Sequence, residues 1–143
     1  MTICVDFDGT CVTHDFPRIG KDIGAVEVLR ALTDVGHRLI LFTMRSDVDK
    51  PTSDDPKIIP IGGNYLTDAV NWFTDNEIPL WGIQKNPNQS TWTHSPKAYA
   101  DLYIDDAGLG CPLSINPELS HRPYVNWIEI RKILEEMLLI PIQ

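Results

Sequence analysis

Basic residues are scarce in this chain: 12 lysines and arginines stand against 20 aspartates and glutamates, a formal charge of -8 over 143 residues. That balance argues against a nucleic-acid backbone or an anionic membrane as the main partner, since either is met by a basic face. Any phosphate must be held by a local cluster. Cysteine is scarcer still, with three residues, Cys4, Cys11 and Cys111. The number is odd, the spacing matches no zinc site, and Cys4 falls in an apolar run, so a reducing compartment is expected rather than a disulfide framework. No apolar run approaches membrane-spanning length, and the N-terminus has no basic flank or small-residue cleavage site. Low-complexity tracts and internal repeats are also missing. These absences leave a soluble cytoplasmic protein as the expectation. With 43% hydrophobic residues the chain can build one proper core but is too short for two ordinary domains, so residues 1–143 are read as a single domain.

What is present is an alternation of strand-like and helix-like segments. Ile3-Cys4-Val5 reads as a short buried strand, followed by a polar stretch over residues 11–22. Apolar positions then recur at helical spacing over residues 25–32, and Gly36 offers a left-handed stop. Residues 38–43 form a continuous apolar run, the mark of a strand buried on both faces of a parallel sheet. Residues 46–63, rich in Asp, Pro and Ser, predict a long loop. Leu66, Ala69, Val70 and Phe73 mark a second helix, and residues 79–83 a third strand. After a polar loop over 85–95, residues 100–106 read as a fourth strand ending in acids, and 113–115 as a short edge strand. Asn126 with Glu129 signals the start of a last helix, with Val125 and Ile130 as a staple. The pattern predicts an α/β fold: a doubly wound, mainly parallel sheet in three α/β/α layers with right-handed crossovers.

The most informative segment is Asp6-Phe7-Asp8-Gly9-Thr10. Carboxylates two residues apart point the same way on an extended segment. Held close in a partly buried cleft, they cannot both stay ionised cheaply unless one takes a proton or a cation sits between them. They follow a strand and precede a glycine turn, and open α/β sheets bind their ligands at the carboxyl ends of strands. Further along, Thr43 ends the second strand, Lys97 lies just upstream of the fourth, and Asp105 with Asp106 ends it.

That set and order, spanning residues 3–106, resembles the haloacid dehalogenase superfamily, whose phosphatases carry an Asp-x-Asp-x-Thr motif, a Thr or Ser after the second strand, a Lys and a terminal acidic pair. The resemblance implies a magnesium-dependent phosphohydrolase that cleaves a phosphate monoester through an aspartyl-phosphate intermediate. Asp6 is then the nucleophile and a metal ligand. Asp8 is the proton carrier, its pKa raised by like-charge neighbours, with its main-chain carbonyl on the metal. Thr43 and Lys97 hold the transferring phosphoryl group. Asp105 is expected to bind Mg2+ directly and Asp106 through water. Arg45 is a further candidate for binding substrate phosphate, although a solvent-facing arginine is as good a reading.

The gaps between motifs leave no room for a separate cap domain, so the resemblance implies a capless member. Such members accept a large substrate in an open cleft or cover the cleft with a second copy in a homo-oligomer. The loops at 46–63 and 85–95 are the candidate specificity elements. His14 and His94 belong to no recognisable triad or metal spacing and are given no role. Cys11 lies near the acids but nothing marks it as a nucleophile. Trp72, Trp81 and Trp127 are read as packing residues, and Trp92 as a residue that borders the cleft. The competing readings are a phospho-acceptor receiver domain, which would place adjacent acids on the first strand, and a non-catalytic phosphate-binding module on the same fold.

Overall fold

A computed structural model of the protein describes residues 1–49 and 62–143. Four short parallel strands form its central sheet: β1 (Thr2–Val5), β2 (Arg38–Leu41), β5 (Gly82–Ile83) and β6 (Leu102–Ile104), in the order β5-β2-β1-β6. Helix α1 (Ala25–Asp34) connects β1 to β2, and α2 (Tyr65–Asp75) connects β2 to β5. β3 (Asp47–Val48) and β4 (Gly63–Asn64) form a small antiparallel ribbon that brackets residues 50–61. The third strand is therefore shorter than the expected 79–83. Most of the expected 46–63 loop lies outside the described residues. No described helix is long and apolar enough to cross a membrane.

The strand order explains where a cleft should form. The chain moves from β1 to β2 to β5 in one direction along the sheet, then returns past β1 to place β6 on its other side. Order reverses between β1 and β6, and the crevice at such a switch point is where doubly wound sheets take their ligands. Register fixes what meets there. Val5 lies opposite both Leu41 and Ile104, so Asp6, Phe42 and Asp105 leave the sheet side by side. The ladder runs on for one bond past each strand, from Asp6 N to Ile104 O (3.0 Å) and from Phe42 N to Val5 O (2.9 Å).

The two faces of the sheet are covered differently. Ile3, Val5, Leu39, Leu41 and Ile104 share one core with Val28, Leu29 and Leu32 of α1, Ala69 and Phe73 of α2, and Trp127, Ile130 and Leu134 of α3 (Trp127–Glu136). The alternate residues Cys4 and Ile40 face a smaller cluster with Ala98, Ala100, Phe42 and Trp81. None of these four lies in a helix. The second outer layer is thus the return segment from β5 to β6, where the three-layer expectation calls for a helix. Right-handed crossovers account for this, because a connection running back along the sheet must cross on the opposite face. Side-chain amides let a loop serve there by satisfying its backbone. Gln89, in a single 3-10 turn (Gln89–Thr91), donates to Ser95 O and Lys97 O and accepts from Tyr99 N, while Asn86 donates to Tyr99 O.

Residues 113–115 do not join the sheet edge. β7 (Leu113–Ser114) instead pairs with β8 (Tyr124–Val125) as a separate antiparallel ribbon leading into α3. The expected cap is half formed: the Asn126 side chain accepts from Ile128 N and Glu129 N, but Glu129 turns away to Lys132. Asn126 N donates to Pro112 O. The start of α3 also anchors the acidic loop, because Val125 N donates to Gly9 O at 2.9 Å and the buried Trp127 indole donates to Thr10 O at 2.7 Å.

Replacing Trp127 by Phe keeps most of the packing but leaves a buried carbonyl without its donor. Such a loss costs about 1–3 kcal/mol, so the variant should unfold at lower denaturant with an unchanged m-value. An unaltered midpoint would show that α3 does not support the acidic loop.

Candidate active site

The loop that follows β1 turns back on itself within five residues. Thr10 N and Cys11 N both donate to Phe7 O, and Gly9 N donates to Val12 O. Gly9 is required twice over. Its φ of 77° belongs to the left-handed region, and a Cβ there would collide with the His14 ring and come within 2.6 Å of Asp106 Oδ2. The turn thereby brings Thr10 back onto Asp6 and His14 onto Asp106.

One oxygen each from Asp6, Asp105 and Asp106 lie within 4.8 Å of one another. The half-buried group has the oxygen donors and spacing that suit a hard divalent cation. Thr10, fully buried, ties it together: its hydroxyl donates to Asp6 Oδ2 at 2.8 Å and accepts from Asp106 N at 3.0 Å. Asp105 Oδ1 accepts from Ala107 N at 2.8 Å, and Asp106 Oδ2 takes the His14 Nε2 at 2.8 Å. Burial pushes the Asp6 carboxyl up to about 7; hydrogen bonds from Thr10 and Phe7 N oppose the rise, while Asp105 and Asp106 add to it. The expected crowding of like charge falls on Asp6.

Asp8 sits in a different environment from the one expected. Its partner is a guanidinium, not another carboxylate. Arg45 Nε donates to Asp8 Oδ2 and Nη2 to Asp8 Oδ1, both at 2.8 Å. Arg45 is 3% exposed, so the solvent-facing reading is corrected. Its remaining N–H groups reach Pro17 O, Arg18 O and Tyr65 O. All five donors of the fork are spent. Phe7 and Phe16 lie on the guanidinium at 5.0 and 5.1 Å. Arg45 therefore has no donor left for a substrate phosphate in this conformation, and its visible work is to clamp Asp8 and the loop over 15–18.

The two phosphate-holding candidates are not drawn into the acidic group. Thr43 sits at the end of β2, where its backbone pairs with the Gln84 amide and its hydroxyl accepts from Arg45 N at 3.1 Å. That hydroxyl still has its own proton to donate. Lys97 is exposed, with Nζ 5.4 Å over the Tyr103 ring, and forms no ion pair with Asp6, Asp8, Asp105 or Asp106 among the described residues. Cys11 is fully buried, its thiol pushed well above the usual range by burial and then by Asp6 and Asp8, which fits its reading as inert. Trp72, Trp81 and Trp127 pack in the cores, whereas Trp92 is exposed. Trp92 lies edge-on to Tyr99, which precedes the N-terminal end of β6, so it borders the end of the sheet away from the acids.

Two residues stand in the site that the sequence left without a role. Thr10 was visible as the last residue of the pentapeptide. His14 had no signal, because its contact with Asp106 spans 92 positions.

No family model matches the chain, and no curated protein matches it. A solved structure of a conserved protein from Bacteroides thetaiotaomicron is similar to it, with a TM-score of 0.68 and 33% identity, covering 96% of this chain and 91% of that one.

The raised Asp6 carboxyl has a stability consequence. A folded-state pKa near 7 against an ordinary value of 3.8 means the native state binds more protons in that window, so stability falls as pH rises from about 4 to 7 and the penalty is complete above it. Asp6→Asn removes the buried charge. Metal-free Asp6→Asn should melt above the wild type at pH 8, by a margin that narrows at pH 5. An equal or lower midpoint at pH 8 would contradict the assigned burial cost.

Proposed function

The chain belongs to the family of that conserved Bacteroides thetaiotaomicron protein, and from its own strand-end chemistry we propose that it is a magnesium-dependent phosphohydrolase of the haloacid dehalogenase type, cleaving a phosphate monoester through an aspartyl-phosphate on Asp6. The observation that carries the proposal is the convergence of Asp6, Asp105 and Asp106 at the switch point between β1 and β6. An acidic group alone is common. Here it lies at the one crevice the sheet topology offers a ligand, with its nucleophile candidate hydrogen-bonded in place.

The residues divide the work. Asp6 is held by the Thr10 hydroxyl at Oδ2 and by the Phe7 N–H, which orient the carboxylate to approach phosphorus in line with the leaving oxygen. The P–O bond to the leaving group breaks as the Asp6–phosphorus bond forms, and water then displaces Asp6 from phosphorus to release inorganic phosphate. Asp6, Asp105 and the Asp8 main-chain carbonyl would hold Mg2+, whose positive charge would let a carboxylate meet a phosphate dianion. Asp106 takes the outer position, since Oδ2 is already engaged by His14. Thr43 offers its free hydroxyl proton to an equatorial phosphate oxygen. Lys97 must swing from Tyr103 to contribute there.

Asp8 is the proton carrier. To protonate the leaving oxygen it must release at least one of its two bonds to Arg45, and a bound phosphate dianion competes for the same guanidinium. Arg45 thereby acts as a latch on Asp8 before it can act on substrate.

The proposal is tested with a panel of phosphate monoesters assayed with and without Mg2+. Turnover is expected only with the metal, and Asp6→Asn should abolish it. Asp8→Asn should cut kcat by about 10²–10⁴-fold while Mg2+ affinity stays within a few-fold of wild type, because only the backbone of that residue would touch the ion. Activity that survives Asp6→Asn, or metal binding lost with Asp8→Asn, would overturn the assignment.

A further inference from the structure

We propose that His14 is a positioning residue for the metal centre, acting through Asp106. The inference rests on the metal-site reading above and adds to it a residue outside the motifs that suggested that reading. Its geometry is direct. The His14 ring is 12% exposed, and Nε2 lies 2.8 Å from Asp106 Oδ2, a carboxylate itself 15% exposed. A ring N–H donating to a half-buried carboxylate fixes both its rotamer and which oxygen remains available. Among the described residues Asp106 Oδ1 has only the long 3.4 Å approach from Thr10 Oγ1, so the oxygen left for the ion's coordination shell is Oδ1.

The surroundings are built to hold that pair closed. Gly9 is the only residue type that fits beneath it, since any Cβ there would meet the imidazole and the carboxylate together. The backbone preceding His14 is pinned on both sides. Thr13 N donates to Lys21 O at 3.0 Å, Lys21 N donates to Thr13 Oγ1 at 2.9 Å, and Val12 bridges to Asp22. Gly20 lets that backbone approach, because a Cβ there would strike Thr13 O. Asp106 is held from its own side as well, by the bond from its N–H to Thr10 Oγ1. A histidine that merely covered the surface would need none of this. The carboxylate follows β6 and the imidazole follows the loop after β1, each on hydrogen-bonded backbone.

The consequence is a division between the two terminal acids. Asp105, oriented among the described residues only by a turn N–H from Ala107, can move to the ion as a direct ligand. Asp106, locked by His14 and Thr10, is fixed in advance and sets where the ion's shell begins. Losing an outer partner of this kind costs about 10–100-fold in metal affinity.

The test is a titration of the metal-free 143-residue chain with Mg2+ by calorimetry, repeated with Mn2+ followed by its electron paramagnetic resonance signal. His14→Ala should weaken both ions by that factor while its metal-free melting temperature stays near the wild type. His14→Gln, whose amide can donate to the same oxygen, should recover most of the affinity. A purely structural role would lower the melting temperature and give no recovery specific to the amide. Binding by His14→Ala within twofold of wild type overturns the inference and leaves the metal site standing. A wild-type protein that binds neither ion overturns both. If His14→Ala does not fold, affinity in His14→Gln within a few-fold of wild type and at least tenfold tighter than in His14→Leu supports the role; equal affinities in those two overturn it.

Discussion

Everything in this molecule that bears on function follows from one electrostatic constraint: three carboxylates meet where β1 and β6 leave the sheet. Parallel register puts Asp6 beside Asp105, and the reversal of strand order opens a crevice above them. No described lysine or arginine pairs with Asp6, Asp105 or Asp106. The neutral hydroxyl of Thr10 and the imidazole of His14 are what reach the group instead. A fold that gathers negative charge and then withholds a permanent counter-charge has room for an exchangeable one. Burial, with a smaller addition from Asp105 and Asp106, raises the Asp6 carboxyl to about 7.

Against that centre, the Asp8–Arg45 pair is the contrasting device. Both acids come from one pentapeptide, yet they point into different company. Asp6 is tied to a hydroxyl and left to carry its charge among acids, while Asp8 is clamped by a fully engaged guanidinium stacked between Phe7 and Phe16. Arg45 also gathers three backbone carbonyls from the 17–18 loop and the start of α2. The position of Asp8 is therefore coupled to the walls of the cleft. Any motion that broke the Asp8–Arg45 pair would loosen those contacts at the same moment.

The sequence made the scaffold legible because its signals are local. Strand periodicity in Ile3-Cys4-Val5 and 38–43, the Gly36 stop and the Asn126 cap each depend on neighbours a few residues away, and each is found in the structure. The acidic residues could be read too, since every one follows a strand. Three things could not be read. That no described α-helix covers the second face depends on the direction in which the chain returns along the sheet, which periodicity does not encode. The burial of Arg45 depends on carbonyls from segments about 20 to 30 residues away. The His14–Asp106 contact joins a loop that follows the first strand to one that follows the last strand of the sheet. Asp8 was expected among like charges because sequence shows its acidic neighbour and hides its basic one.

The proposed chemistry requires Asp6 to form a bond to phosphorus. That bond can be caught by quenching the protein with acid within milliseconds of mixing it with Mg2+ and a turned-over phosphate monoester, then reducing with borohydride, which converts an acyl phosphate to the alcohol. Peptide mass spectrometry should find homoserine at position 6 and at no other aspartate, in an amount that rises and decays with turnover. Turnover that leaves position 6 unreduced, or that places the alcohol at Asp8, Asp105 or Asp106, would contradict the central claim.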